Sequence, residues 1–146
     1  MGVLTNIAQN AILDALLRGQ QLVTPRVWYV ALVTTEGATN ALAGVEVSGG
    51  AYKRVAINAD MISWSGTQAD GSTGISIGSS AVTSNNGSIT FPTPTANWGV
   101  VVSYELWDQA VNGARWFYDI LTVPKTVSAG DPAVTFPPGE LRLSFI

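Results

Sequence analysis

Beyond residue 25 the chain is a succession of short runs rich in Val, Ile, Thr, Tyr, Phe and Trp, each bounded by residues that turn a backbone. The runs are RVWYVALVT (26–34), VEVS (45–48), YKRVAI (52–57), GISIGSSAVT (74–83), SITF (88–91), GVVVSYELWD (99–108), RWFYDILT (115–122), AVTF (133–136) and LRLSFI (141–146). Such residues fit a pleated, half-buried surface, and a short strand must pair with others to satisfy its backbone N–H and C=O groups. Between the runs stand Gly49-Gly50, Ser84-Asn85-Asn86-Gly87, Asn112-Gly113 and Pro137-Pro138-Gly139. Asn-Gly between alternating runs is the strongest short-range hairpin signal, so hairpins are expected at 84–87 and 109–114. The fold class that follows is mainly β, an antiparallel β-sandwich of about eight short strands.

One segment departs from this pattern. In LTNIAQNAILDALLRGQ, the apolar set Leu4, Ile7, Ala8, Ala11, Ile12, Ala15 and Leu16 recurs with the 3.6 period of a helix. Thr5 or Asn6 suits its N-cap, and Gly19 after Arg18 suits its end. A helix over 4–18 is predicted, packing its stripe on a sandwich spanning 26–146. The length of 146 residues suits one domain, 1–146, with no linker or repeat.

Composition narrows the function. Charged residues make up 12% of the chain, about half the usual share, so much of the surface must be Ser, Thr, Asn, Gly and apolar atoms. Surfaces of that kind favour association, and contact with other subunits is expected. A net charge of −3 supplies no basic stripe to neutralise phosphates, so a nucleic-acid partner is not expected. With no cysteine and no histidine, disulfides, thiolate sites and the commonest general base and metal ligand are missing. No cofactor or metal is expected. No apolar run approaches the roughly 20 residues of a membrane helix, and no signal peptide is apparent at the start.

The remaining chemistry is sparse. Asp108 and Asp119 flank the 109–114 turn and are the best carboxylate pair for hydrolysis, if they face one another. Strand ends beside turns are where solvated Asp normally sits, so catalysis is not expected. ADGSTG (69–74) starts like a calcium loop but lacks the alternating acidic ligands and the downstream Glu. Asn86-Gly87-Ser88 matches a glycosylation acceptor but has a turn to make. Trp28, Trp107 and Trp116 sit in apolar runs and are expected to fill the core. Trp64 and Trp98 lie near loops and are the candidates for stacking on a host surface glycan.

VEVSGGAYKRVAI (45–57) concentrates Tyr52, Lys53 and Arg54 in a chain with only 7 Lys and Arg. If it is a strand, alternation puts Tyr52, Arg54 and Ala56 on one face and Ala51, Lys53, Val55 and Ile57 on the other. Tyr52 and Arg54 are then neighbours able to stack, with Glu46 in reach of Arg54. Splitting the cations between faces argues against an anion site and for a pair that anchors a loop or a neighbouring subunit.

The order of motifs along the chain resembles a family of small tail-fibre-like virion structural proteins of tailed bacteriophages. The resemblance runs through the N-terminal helix, the strand around WYVAL and Glu46-Val47-Ser48-Gly49-Gly50 with Tyr52 and Arg54. It continues through Trp98-Gly99 and Pro124-Lys125-Thr126-Val127 followed by Gly130-Asp131. It implies a non-enzymatic, multi-copy virion component, made in the bacterial host cytoplasm and placed in tail, baseplate or fibre by contacts with other virion proteins. A homo-oligomer follows, with a trimer as first expectation. Alternatives are a capsid decoration (cement) protein or a glycan-binding module on the virion. The sequence departs from the family pattern at SYELWDQAVNGA, where Tyr104 and Trp107 bring bulk to the hairpin. Glu46, Tyr52, Arg54, Trp98, Tyr104 and Trp107 are the candidate interface or structural residues.

Overall fold

The computed structural model of the protein describes residues 3–37 and 41–145. Ten strands and one helix follow in order: β1 (Val3–Leu4), α1 (Asn6–Leu17), β2 (Val27–Thr35), β3 (Val45–Glu46), β4 (Val55–Asn58), β5 (Val82–Ser84), β6 (Ile89–Thr90), β7 (Gly99–Trp107), β8 (Arg115–Val127), β9 (Thr135–Phe136) and β10 (Arg142–Ser144). Six form one antiparallel sheet, β1-β8-β7-β2-β3, with β4 also on β2. A second layer is made of two short antiparallel ladders, β5–β10 and β6–β9, with Trp64 bridging to Asn85. The architecture is a β-sandwich.

Period-2 alternation decides which side chains fill the space between the layers. Val30 and Leu32 of β2 pair with Leu106 and Tyr104 of β7, all on the inner face. They pack with Val101 and Val127 against Ile89, Phe91, Phe136, Leu141 and Leu143 of the second layer. Phe136 is the aromatic hinge of this core, its ring 5.7 Å from Tyr104 and 6.3 Å from Phe91.

The outer face of the main sheet carries Ala31, Val33 and an ion pair. Arg115 Nη1 donates to Glu105 Oε2 at 2.9 Å, with both side chains at most 5% exposed. Glu105 also accepts from the Gly44 N–H and the Trp107 indole N–H, so the buried carboxylate has partners on both oxygens. Those donors belong to the segment after β2 and to the end of β7.

Several expectations are revised. The 109–114 hairpin forms, with Asn112 and Gly113 at φ 58° and 84° and Asp108 N–H donating to the Ala114 carbonyl. The one expected at 84–87 does not, because β5 pairs with β10 and β6 with β9. The chain there crosses from one ladder to the other, and Asn85 is the reason. Its buried side chain donates to the carbonyls of Gly87, Phe136 and Pro137 and accepts from Leu141 N–H, so it ties the crossover to the connection between β9 and β10. The run 74–83 is strand only over Val82–Ser84. The strand expected at 52–57 begins at Val55.

β8 continues past the expected end, to Val127, by absorbing a bulge. Ser103 pairs with Ile120 and Val101 with Lys125, which sets residues 121–124 against Val102 alone. Pro124, without an N–H to give, sits in that bulge. The helix is capped by Thr5, whose Oγ1 accepts from Ala8 N–H at 3.4 Å. Its apolar stripe is not fully buried on the sheet, however. Ala8 is its one buried residue, while Ile7 and Leu16 of the predicted stripe are 51% and 74% exposed.

Candidate functional site

VEVSGGAYKRVAI folds into a left-handed turn followed by a clamp. Gly49, Gly50 and Ala51 stand in sequence at φ 75°, 58° and 66°. The left-handed region costs an L-residue about 1–2 kcal/mol, so glycine is favoured at the first two positions and Ala51 is strained. Gly50 has a second reason. A Cβ there would lie 2.8 Å from Trp98 Nε1, and the Gly50 carbonyl accepts from that indole N–H and from Thr95 N–H. The Trp98-Gly99 motif and the Gly-Gly motif are therefore two halves of one contact.

The turn delivers Tyr52 and Arg54 to Glu46. The Tyr52 hydroxyl accepts from Leu32 N–H at 3.0 Å and donates to Glu46 Oε2 at 2.6 Å. Burial, and next the bond to the Glu46 carboxylate, push the phenol far above its ordinary value, so it stays protonated. Arg54 grips both Glu46 oxygens through Nε and Nη2, at 3.0 and 2.9 Å. Its Nη1 donates to the carbonyls of Gln109 and Asn112, each at 2.8 Å. The guanidinium also lies 4.2 Å from the Trp107 ring centre. All three nitrogens of the Arg54 head group are thus in use, and its side chain is 7% exposed.

This arrangement anchors the β7–β8 hairpin loop to the turn before β4. It differs from the expectation in one respect: Tyr52 and Arg54 do not stack on each other. Residues 52–54 precede the strand, so alternation does not place them. Arg54 stacks on Trp107, and Tyr52 stacks parallel to Phe91 and edge-on to Trp98. Five of the six candidate interface or structural residues, Glu46, Tyr52, Arg54, Trp98 and Trp107, come together here. A groove of about 370 Å³ runs beside them, between Glu46, Ser48, Lys53 and the exposed Val111.

Tyr104 lies elsewhere. Its hydroxyl donates to the Arg142 carbonyl at 3.0 Å, and burial first, then the Asp119 carboxylate, push its phenol far upward. It lines a cleft of about 470 Å³ with Asp119, Val123, Phe136, Glu140 and Arg142, beside the β8 bulge.

The other candidates resolve as follows. Asp119 pairs across with Tyr104, four residues up the strand from Asp108. That sets the two residues about 13 Å apart along the strand at 3.3 Å per residue. Asp108 instead accepts from Ala114 N–H and the Trp116 indole, holding the turn. Trp98 is 5% exposed and wedged between Gly50 and Tyr52, so it has no free face for a sugar ring. Trp64 is half-buried against the core, its N–H given to the Asn58 carbonyl. Trp28 packs on the core with its ring edge-on to Trp116, whereas Trp107 lies on the outer face beneath Arg54.

ADGSTG is a stitched turn. Ser84 Oγ and the Arg142 guanidinium both contact Asp70; the Ser84 bond first, opposed by desolvation and then helped by Arg142, holds its carboxyl below the ordinary range. Among the described residues no group of three or more acidic, histidine or cysteine side chains is placed to hold a metal ion. Among the described residues no helix is long and apolar enough to cross a membrane. The Pro124–Asp131 motif has its own role, with Asp131 Oδ2 accepting from Ser128 N–H and Gly130, at φ 81°, donating to the Pro94 carbonyl.

Sequence reasoning missed Glu105–Arg115 and Asn85. Both are polar residues in apolar surroundings, and only the sheet register shows what they face.

No curated protein matches the chain. A family model described as Podophage GP4 fiber I protein gp80 matches residues 3–144. The turn, the clamp and the Trp98 contact all lie within that span, and the chain belongs to this family of bacteriophage fibre proteins.

Proposed function

We propose that this virion structural component is a non-enzymatic fibre subunit, present in several copies and assembled through protein–protein contacts. The observation that carries the reading is how the candidate site spends its chemistry. Every Arg54 donor group and the Tyr52 hydroxyl hold the chain's own backbone and Glu46, and Asp108 beside the hairpin is bonded to Ala114 N–H and the Trp116 indole. Such a clamp fixes the shape of the hairpin rim and leaves no activated group beside it, which suits a load-carrying building block.

The fibre family supports a place in the tail over a capsid decoration role, and a trimer is the first oligomer to test. Electron microscopy of virions, with quantitative mass spectrometry of purified particles, gives location and copy number. Several copies in the fibre are expected. A chain missing from purified particles, or found as one copy per virion, overturns the proposal.

A further inference from the structure

Asparagine followed by glycine occurs twice in the chain, at Asn86-Gly87 and at Asn112-Gly113. In such a pair a side-chain amide stands next to a backbone nitrogen that no following side chain shields, and asparagine is one of the thermolabile residues. The fold treats the two pairs in opposite ways.

Asn86 is fixed from both ends of its amide. Its Nδ2 donates to the Ile62 and Ser72 carbonyls, each at 3.0 Å, and its Oδ1 accepts from Gly71 N–H at 3.1 Å. The residue is half-buried, and swinging its amide toward Gly87 breaks all of these bonds.

Asn112 has no such hold on its side chain. It is exposed in the loop between β7 and β8, and neither its side-chain amide nor the Gly113 N–H makes a hydrogen bond among the described residues. The bonds that close the turn belong to its neighbours, from Asp108 N–H to the Ala114 carbonyl and from Ala114 N–H to Asp108 Oδ1. Position 113 also demands glycine, since its φ is 84° and a Cβ there would collide with Asp108 Oδ1. The pair that turns the chain is therefore also the pair left open to attack.

Two charges flank it. Asp108 is committed to Ala114 N–H and the Trp116 indole. Arg54 Nη1 holds the Asn112 carbonyl at 2.8 Å. That oxygen takes up negative charge when the Gly113 nitrogen loses its proton, and a cation bonded to it favours the anion.

We propose that Asn112 is a site of self-modification in the folded protein, its amide converted to a carboxylate through a cyclic imide with Gly113, while Asn86 is held back. The Gly113 nitrogen gives its proton to solvent and bonds to Asn112 Cγ. The Cγ–Nδ2 bond breaks, and the nitrogen leaves as ammonia with a proton from solvent. Water then opens the imide at either carbonyl. Opening at Cγ gives aspartate, and opening at the main-chain carbonyl gives isoaspartate, with the backbone running through Cβ and Cγ. Both products place a new carboxylate beside Arg54, at the rim of a chain poor in charge.

The full chain, folded and in urea, is incubated in mildly alkaline buffer and sampled by peptide mass spectrometry, with isoaspartyl methyltransferase labelling to count isoaspartate. In urea the two Asn-Gly pairs are expected to react at comparable rates. In the folded chain Asn112 is expected to react at least about tenfold faster than Asn86, whose bonds must open first. Anion exchange of the folded wild type should resolve a growing, more acidic species that Asn112→Ser largely lacks. The proposal is overturned if Asn112 keeps its amide in the folded chain while reacting in urea, or if Asn86 keeps pace with it there. Acidic species forming in Asn112→Ser at the wild-type rate overturn it too. None of these outcomes depends on copy number, so the multi-copy reading stands or falls separately.

Discussion

Arg54→Ala is the substitution that tests the clamp most directly. It removes a two-pronged bond to Glu46, two bonds to the Gln109 and Asn112 carbonyls, and the guanidinium over Trp107. A hydrogen bond with a charged partner contributes about 1.5–3 kcal/mol, but these share one head group and do not add. The better scale is the about 3–5 kcal/mol lost when one partner of a buried ion pair is deleted. Glu46 is 26% exposed and keeps the Tyr52 hydroxyl, which places the loss near the lower end, about 3 kcal/mol. For a chain of this length that lowers Tm by about 10 °C.

Arg54→Lys keeps the charge but not the planar fork, and about 2 kcal/mol of the loss should persist. Urea unfolding gives the free energies, and a double-mutant cycle with Glu46→Gln gives the coupling, expected at about 1 kcal/mol or more. If Arg54→Ala lies within about 0.5 kcal/mol of the wild type, or Arg54→Lys matches it, the clamp is not what holds the hairpin rim.

Further expectations follow from other contacts. Arg115→Met leaves Glu105 charged and buried without its counter-ion and should cost about 3–5 kcal/mol, whereas adding Glu105→Gln should recover at least about 1 kcal/mol in the same urea assay. Gly49→Ala meets open space and should cost about 1–2 kcal/mol for its positive φ. Gly50→Ala also meets Trp98 and Ala96 and should cost at least about 1 kcal/mol more, with a changed near-UV signal from the indole.

Tyr52 and Tyr104 have phenols raised by burial, so their stabilising effect is whole below the unfolded-state value near pH 10. Above it the unfolded chain ionises and the folded one does not, and stability should fall by about 1.4 kcal/mol per pH unit for each tyrosine. Denaturant titrations from pH 9 to 11.5 should show that slope roughly halved in Tyr104→Phe.

The sequence by itself determined the local matters. The runs at 26–34, 99–108 and 115–122 carried enough β-branched and aromatic residues to be strands in any arrangement, and they are the long strands β2, β7 and β8. Asn112-Gly113 made its turn because both residues accept positive φ, and Thr5 capped α1 because its side chain reaches Ala8 N–H locally. The resemblance already pointed to a phage fibre protein, and the grouping of Glu46 with Arg54 was legible from proximity in the chain.

Tertiary structure decided whatever depended on distant partners. The turn chemistry of Ser84-Asn85-Asn86-Gly87 was read as a hairpin, but β10 and β9 outcompeted it, with Asn85 bonding across more than fifty residues to Phe136, Pro137 and Leu141. Arg54 found Trp107 instead of Tyr52 because a left-handed turn, not a strand, sets its direction. Helical periodicity fixed α1 but could not say which of its apolar sides the sheet would take. The sheet took the side around Ala8 and left Leu13, Leu16 and Leu17 in solvent, since a 3.6-residue repeat records that a face is apolar and not what lies against it.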